Sequence, residues 1–303
     1  MNRFIKQIAV INAFYAGMIL FCILFLPATP FAKDPDDAGL VITHQARGVQ
    51  PGEVVLLQVQ SDQPISKIEG TAFGKKVFFY ADGVSTSWKG LVGIDLGAQP
   101  KKYPVLLTAT SIGNKKTQSR YELTVQAKDF PTRRITVQEQ YVNPPAEELE
   151  RIQREDKKVA TIFSEISKEK LWSGGFLRPV PGEATSSFGV RSVLNGQARS
   201  PHSGTDFRGA EGTPVAAPNA GKIVLAENLY FSGNVVIIDH GWSMFSYFAH
   251  LSKISVQEGQ EVSVGDLIGS IGMTGRVTGP HLHWSLRLAG ARVDPLSLLE
   301  ILP

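Results

Sequence analysis

The sequence predicts a mainly β protein, with an Ig-like β-sandwich in its N-terminal half and an antiparallel β domain in its C-terminal half. Short runs of β-prone residues alternate with turn signals over residues 38–130. Glycine-rich β patterns return over residues 172–303. Between them, residues 143–170 carry a helical pattern and predict a single connecting helix.

The N-terminal strands are predicted from clusters of branched and aromatic residues. Turn signals lie between or beside them at Pro51-Gly52, Asp82-Gly83 and Gly113-Asn114. The predicted strands are Val54 to Val59, Lys76 to Tyr80, Leu91 to Ile94, Val105 to Thr110 and Tyr121 to Val125.

The connecting helix is predicted to begin after Asn143-Pro144-Pro145, because proline suits a first turn and Glu147 and Glu148 suit a helix N-terminus. Its apolar residues recur near helical spacing and form a stripe that needs a partner surface. They are Leu149, Ile152, Val159, Phe163 and Ile166.

Residues 1–32 have the layout of a secretory signal. Arg3 and Lys6 precede an apolar run over residues 8–26, which is also long enough for an uncleaved membrane anchor. We therefore expect an exported protein of the periplasm or cell envelope, either released or anchored in the inner membrane. Cys22, the only cysteine, lies within this run, so the mature chain has no disulfide.

The charge balance excludes one class of partner. The chain has 31 Lys and Arg against 28 Asp and Glu, and this near-neutral balance argues against nucleic-acid binding.

Most of the six histidines fall in the C-terminal half, where their spacing indicates a metal site. His202 and Asp206 follow the hairpin signal Asn195-Gly196. His281 and His283 lie two residues apart on a predicted strand and so share a face. Two histidines and one aspartate leave a fourth position open for water, as in catalytic zinc sites. Copper and iron accept the same donors, but hydrolysis needs no redox chemistry, which favours zinc.

A proton acceptor must also lie beside that water. The sequence has no His-Glu-x-x-His helix to supply a glutamate. His250 and the remaining member of the His281/His283 pair suit this role, since an imidazole titrates near neutral pH. His44 and His240 are interpreted as structural.

Four motifs in order resemble the LytM and lysostaphin-type zinc metallopeptidases, over roughly residues 176–303. These motifs are Ser187-Phe188-Gly189-x-Arg191, His202-x-x-x-Asp206, Ala249-His250-Leu251 and Gly279-Pro280-His281-Leu282-His283. The segment Ile68 to Leu96 also resembles an N-terminal domain of some envelope members.

The resemblance implies a LytM-type domain over residues 172–303 that hydrolyses peptide bonds in peptidoglycan stems or cross-links. It implies one zinc ion per catalytic domain, held by His202, Asp206 and His283, with His250 and His281 as the catalytic pair that holds the water. We further expect a regulatory envelope protein to act on the N-terminal region, which would position the enzyme or cover its groove.

The chain departs from the family at two tyrosines. Many relatives have tyrosine two positions before the middle histidine, where this chain has Phe248; Tyr247 is one position earlier and so on the opposite strand face. A second tyrosine is absent from Ser192 to Pro201. We therefore expect oxyanion stabilisation to rest on zinc, His250 and His281 rather than on a phenol.

Three further residues are candidates for substrate binding. Arg191 is a candidate to bind a carboxylate of the peptide stem, because arginine binds carboxylates through two hydrogen bonds. The alternative role for Arg191 is a salt bridge within the hairpin. Arg276 and Thr278 are candidates for a groove wall.

Two other functions fit parts of the sequence. Residues 215–224 and 258–268 resemble biotin or lipoate carrier domains, although neither Lys222 nor Lys253 has the context of a modified lysine. The second is a catalytically silent LytM-type module that activates another cell-wall hydrolase. The complete set of metal-binding residues argues against it.

Overall fold

The structure, a computed structural model, describes residues 39–302. The predicted signal or anchor, residues 1–32 with the apolar run 8–26, lies outside the described residues. Among residues 39–302, no helix combines the length and apolar character that crossing a bilayer requires. The prediction of a mainly β protein is confirmed.

The N-terminal half is an antiparallel sheet of seven strands in the order β1-β2-β5-β4-β3-β6-β7. All seven strands contribute to one apolar core, so the sheet curls around that core as two packed halves. The strands are β1 (Leu40–Gln45), β2 (Val54–Ser61), β3 (Ile65–Ala72), β4 (Lys75–Asp82), β5 (Val84–Gly93), β6 (Lys102–Ser111) and β7 (Lys116–Thr124).

Residues 131–145, which we call the connector, join this sheet to a helix. The connector holds strand β8 (Thr132–Ile135) and a short 3-10 helix (Glu139–Tyr141). Helix α1 (Ala146–Ser164) follows and is shorter at both ends than the predicted segment 143–170. Only part of the predicted stripe finds a partner: Val159 and Phe163 are partly buried, whereas Leu149 and Ile166 are exposed. Ile162, which was not predicted in the stripe, is the buried residue of the helix.

The C-terminal half is built on a sheet whose main path runs β17-β14-β15-β16-β19-β12-β9. Strand β10 pairs in parallel with β8 and antiparallel with β11, which makes a separate three-stranded sheet. The elements are β9 (Ala184–Ser186), β10 (Arg191–Leu194), β11 (Gln197–Ala198), β12 (Gly204–Arg208), β13 (Pro214–Ala216), β14 (Gly221–Leu229), β15 (Gly233–Asp239), β16 (Met244–Ile254), β17 (Glu261–Val262), β18 (Leu267–Ile271), β19 (His281–Leu288), β20 (Ala291–Val293) and α2 (Pro295–Ile301).

Strand β2 joins the two halves because both of its faces are apolar. Val55 and Leu57 point into the core of the N-terminal sheet. Val54 and Leu56 point the other way and pack with residues of the C-terminal half, including Trp172. Successive strand residues face opposite sides, so an unbroken run of apolar residues fits a strand that is covered on both faces.

An ionic network also crosses between the halves. The carboxylate of Glu53, only 3% exposed, accepts hydrogen bonds from the Arg47 side chain at 3.0 Å and from Lys128 Nζ at 2.6 Å. Arg47 Nη2 also donates to Asp294 Oδ2, 2.7 Å away at the start of α2. Burial alone would raise the pKa of Glu53, but its bonds to Arg47 and Lys128 lower it.

Glu53→Gln is expected to lower the free energy of unfolding by about 1–3 kcal/mol, because it leaves two cations beside a neutral amide. Urea unfolding near pH 7 measures this loss. Glu69→Gln is the control, since Glu69 is half-exposed and pairs with Lys67 on the surface, where an ion pair contributes little. Because the pKa of folded Glu53 is lowered, its contribution is present above its ordinary pKa of 4.5 and is lost as pH falls below that value. Equal stability of the two variants would contradict the prediction.

Candidate metal centre

One large groove lies on the C-terminal half, with a cavity volume of about 1460 Å³. Strand β19 and the loop before it line one part, and strands β8 and β10 of the three-stranded sheet line another. Residues 133–138 of the connector and the side chains of Val159 and Phe163 on α1 complete the lining. We call this cavity the groove.

Three predicted metal ligands converge in the groove. Asp206 on β12 and His283 on β19 are direct partners across the antiparallel ladder, and His202 lies in the loop that leads into β12. Asp206 Oδ1 is 2.9 Å from His283 Nδ1 and 3.1 Å from His202 Nε2. The two imidazole nitrogens are 2.9 Å apart. In a tetrahedron with metal bonds near 2.0–2.1 Å, neighbouring donors lie about 3.3 Å apart, so the set fits one ion.

The chemistry of these donors also fits a cation. His202 Nδ1 is 3.1 Å from the carbonyl oxygen of Ser187, and because a carbonyl only accepts, this nitrogen carries the proton. In the neutral form of His202, Nε2 therefore presents a lone pair towards Asp206 and His283. An imidazole lone pair and a carboxylate held this close are suited to sharing one cation.

Burial and hydrogen bonding set the protonation of this set. Burial alone would raise the pKa of Asp206, but its hydrogen bonds with His202 and His283 hold that pKa well below its usual range. Burial lowers the pKa of His283, whose side chain is 14% exposed, and the bond to Asp206 opposes this only in part. For His202, burial is outweighed by Asp206 and the pKa is raised. The site therefore presents an ionised carboxylate, as a metal ligand requires.

His250 and His281 lie beside the three donors. The ring centroids of His250 and His281 are 4.9 Å apart, and that of His250 is 6.1 Å from that of His283. His250 Nδ1 donates to Thr274 O at 2.9 Å, and His281 Nδ1 donates to Gly279 O at 2.8 Å. In each ring, the hydrogen bond that orients the imidazole uses Nδ1, so Nε2 takes no part in that bond. Burial, then His283 and His281, lower the pKa of His250 to about 3, so this imidazole is neutral at neutral pH.

The backbone of His250 is left-handed, with φ of 65°. The register of β16 with β15 shifts nearby, between Asn234 and Val236. Bulges and left-handed residues redirect side chains, and here the distortion accompanies the approach of the imidazole to the site. Thr274 was missed from the sequence. It orients His250 through its carbonyl and bonds Leu251 O and Asn234 N through its hydroxyl.

The three predicted substrate-binding residues are placed differently. Arg276 and Thr278 line the groove, but Arg191 is exposed and does not. Its neighbours Ser192 and Leu194 line the groove, and strand alternation turns Arg191 to the other face of β10. The structure therefore does not bring Arg191 to the metal centre.

Tyr247 and Phe248 lie on opposite sides of β16. Phe248 is fully buried in the core and stacks on Trp284, with an interplanar angle of 8°. Tyr247 lines the groove, and its ring centroid is 6.3 Å from that of His283. Its hydroxyl bonds Ser232, and burial raises its pKa to about 12, so the phenol stays protonated.

His44 and His240 lie outside the groove lining. His44 bonds the hydroxyl of Tyr121 in the N-terminal sheet. His240 is fully buried, with its ring nitrogens 2.8 Å from Ala220 O and 2.9 Å from Ser246 Oγ. Burial lowers the pKa of His240 to about 4, so the ring is a neutral structural bridge.

Gly204→Ala is expected to weaken metal binding by about tenfold or more, since it forces His283 to move and misplaced ligands lower affinity. A Cβ at Gly204 would lie 2.6 Å from His283 Cε1 and 2.6 Å from Trp284 O. Competition with a chelator measures the affinity. Gly279→Ala is the matched control, because a Cβ there meets no atom within 4 Å although the residue neighbours the site. Equal affinity of both variants would show that His283 accommodates the methyl group.

The site combines a carboxylate and two imidazoles at one cation position with two further oriented imidazoles. It lies in an open groove on an antiparallel sheet. These features place the domain in the class of β-rich metallopeptidase domains.

The Peptidase family M23 model matches residues 200–295, which carry all five of these side chains. A crystal structure from Pseudomonas aeruginosa that is assigned to peptidase M23 has a TM-score of 0.66 and 31% identity to this chain. The match covers 84% of this chain and 96% of that one. The chain belongs to peptidase family M23, and the resemblance found in its motifs is confirmed.

Curated relatives match over a shorter part of the chain. The peptidoglycan DD-endopeptidase ShyA of Vibrio cholerae is 48% identical over 96 residues, which are 32% of this chain and 22% of ShyA. The DD-carboxypeptidase/endopeptidase Mpg of Neisseria meningitidis is 42% identical over 97 residues, again 32% of this chain and 22% of the relative. The chain thus spans about a fifth of the length of these relatives.

Proposed function

We propose that this protein is a zinc metallo-endopeptidase that hydrolyses peptide bonds in the stems or cross-links of peptidoglycan. The observation that carries the proposal is the convergence of His202 Nε2, Asp206 Oδ1 and His283 Nδ1 within 3.1 Å of one another. Relatives named as peptidoglycan DD-endopeptidases support the substrate.

His202, Asp206 and His283 would hold the zinc ion. When bound there, zinc lowers the pKa of water towards neutrality and polarises the scissile carbonyl. His250 and His281 handle the protons. Each has its Nδ1 hydrogen committed to a backbone carbonyl, so each offers its Nε2 to the reacting groups. The pair holds the attacking water and accepts its proton at an Nε2 atom, and the proton then passes to the leaving amine.

The open groove suits an extended peptide better than a small molecule. Its 1460 Å³ exceeds the 300–1,000 Å³ that is typical of small-ligand pockets. Lys222 lies within β14 and Lys253 within β16, so neither stands at a hairpin tip, where a carrier domain presents its modified lysine.

Export belongs to the same proposal, because peptidoglycan lies outside the cytoplasmic membrane. Residues 1–32 would direct the chain to the periplasm or cell envelope, as a cleaved signal or as an inner-membrane anchor. A regulatory envelope protein is proposed to act on the connector and α1, which line the groove. Comparing the mass of the protein isolated from cells with that of the full chain tests whether the signal is removed.

Digestion of purified cross-linked muropeptides tests the activity. With zinc bound, we expect new products whose masses identify the bond that is cut. A chelator should stop the reaction, and added zinc should restore it. Stoichiometric zinc with no cleavage would overturn the proposal in favour of a catalytically silent module. A folded protein that binds no zinc would also overturn the proposal in favour of the silent module.

A further inference from the structure

The side chains that line the groove carry a strong excess of positive charge. Asp206 is the only carboxylate that lines it within residues 39–302, and this carboxylate is engaged by His202 and His283. Against it stand five arginines: Arg133, Arg199, Arg208, Arg276 and Arg287. The groove is therefore suited to an anionic ligand.

Two of these arginines, Arg199 and Arg276, come from separate loops and line the same groove. The guanidinium of Arg276 lies 4.7 Å from the ring centroid of Phe231. Burial and then the charge of Arg199 lower the pKa of Arg276. Like charges that line one groove repel each other, and a bound anion relieves this repulsion.

Arg199 is held in place by neighbouring acceptors. Its Nη2 donates to Val142 O at 2.6 Å and to Gln197 Oε1 at 3.1 Å. Its Nε is buried and has no hydrogen-bond partner among the described residues. A buried donor without a partner is costly, and a ligand oxygen would satisfy it.

The other arginines of the groove are less suited to the role. Arg287 also has a buried nitrogen, Nη1, without a hydrogen-bond partner among the described residues, but its guanidinium packs 5.1 Å from the ring centroid of Phe163 on α1. Arg208 is exposed at the end of β12. Arg133 is exposed on β8, where its Nε is 3.4 Å from Ser192 Oγ. Arg199 and Arg276 are thus the two partly buried arginines of the groove that come from loops rather than from a strand.

We propose that Arg199 and Arg276 form a carboxylate-binding subsite, so that the protein prefers peptides with a free carboxylate near the scissile bond. This inference rests on the proposed function and extends it by naming the substrate group, a free carboxylate, that the groove binds. Planar guanidinium forks match a carboxylate through paired hydrogen bonds, and stem peptides carry free carboxylates. Arg199 precedes the segment 200–295 that the family model matches, so the subsite combines one residue outside that segment with one inside it.

The test compares a cross-linked muropeptide dimer with dimers in which each free carboxyl group in turn is converted to a carboxamide. The wild-type protein, fully loaded with zinc, should cleave the free acid with a kcat/KM about 10- to 100-fold above that for one of the amides. Arg199→Gln and Arg276→Gln should each lose about this factor on the acid and leave the rate on that amide unchanged.

Arg191→Gln is the matched control, because it removes the same charge from the same half of the protein but outside the groove. It should leave both rates unchanged. Arg276→Lys keeps the charge without the fork and should fall between wild type and Arg276→Gln. Zinc content and thermal unfolding of each variant identify any that misfold. If Arg276→Gln misfolds, the rates of Arg199→Gln on the acid and the amide decide the test.

The outcomes separate this inference from the proposed function. Equal cleavage of the acid and every amide by the wild-type protein would overturn the carboxylate subsite and leave the peptidase activity intact. Cleavage of none of them would overturn the proposed function itself. Equal losses on acid and amide in the arginine variants would assign the pair a structural role and also overturn the inference.

Discussion

Asp206→Ala will abolish zinc binding and reduce peptide cleavage by about a thousandfold or more. Asp206 supplies the only carboxylate of the donor set, and its Oδ1 lies within 3.1 Å of both ligand nitrogens. Without it, two imidazoles remain to hold a divalent cation. Loss of the ion removes several kcal/mol of transition-state stabilisation, and each 1.36 kcal/mol corresponds to a tenfold change in rate.

Metal analysis of the purified variant and its kcat/KM on cross-linked muropeptides measure the two effects. Glu211→Ala is the control, since it removes the same charge from an exposed turn of the same half and outside the groove. It should retain zinc and full activity. An Asp206→Ala variant that keeps one zinc per chain would show that the ion is held elsewhere.

His281→Ala will reduce cleavage by about 10²- to 10⁴-fold while leaving zinc bound, because positioned acid–base groups contribute rate factors of this size. Its Nδ1 is committed to Gly279 O, and its Nε2 is 3.9 Å from Asp206 Oδ1, farther than the three donors are from one another. His281 is therefore placed beside the metal position rather than in the donor set.

His283→Ala provides the opposing result in the same assay, because it should lose the zinc itself. His44→Ala serves as the neutral control, since His44 lies in the N-terminal sheet and bonds Tyr121. Zinc loss from His281→Ala, with zinc retained by His283→Ala, would show that the two histidines exchange roles.

Much of the candidate site followed from local patterns. Asn195-Gly196 predicted the tight turn that joins β10 and β11. A spacing of two predicted that His281 and His283 share a strand face, and both line the groove. The chemistry of two histidines and one aspartate predicted a metal centre, and the structure places those three donors together.

Other features could not be read locally. Strands β1 and β3 were not predicted, although β3 lies inside the N-terminal sheet between β4 and β6. Its sequence, Ile-Ser-Lys-Ile-Glu-Gly-Thr-Ala, has few apolar residues, and its buried positions are separated by exposed lysine and glutamate. Pairing with two neighbouring strands overrides this weak propensity.

The sequence by itself determined the identity and spacing of the donor residues, the β character of both halves and the amphipathic pattern of α1. These properties depend on side-chain chemistry and on the short periods of strands and helices. Only the tertiary structure decided that the connector forms a wall of the groove, that Arg191 faces away from it, and that Arg199 and Arg276 line the same groove. Those outcomes depend on contacts between residues far apart in the chain, such as the parallel pairing of β8 with β10, which no local period encodes.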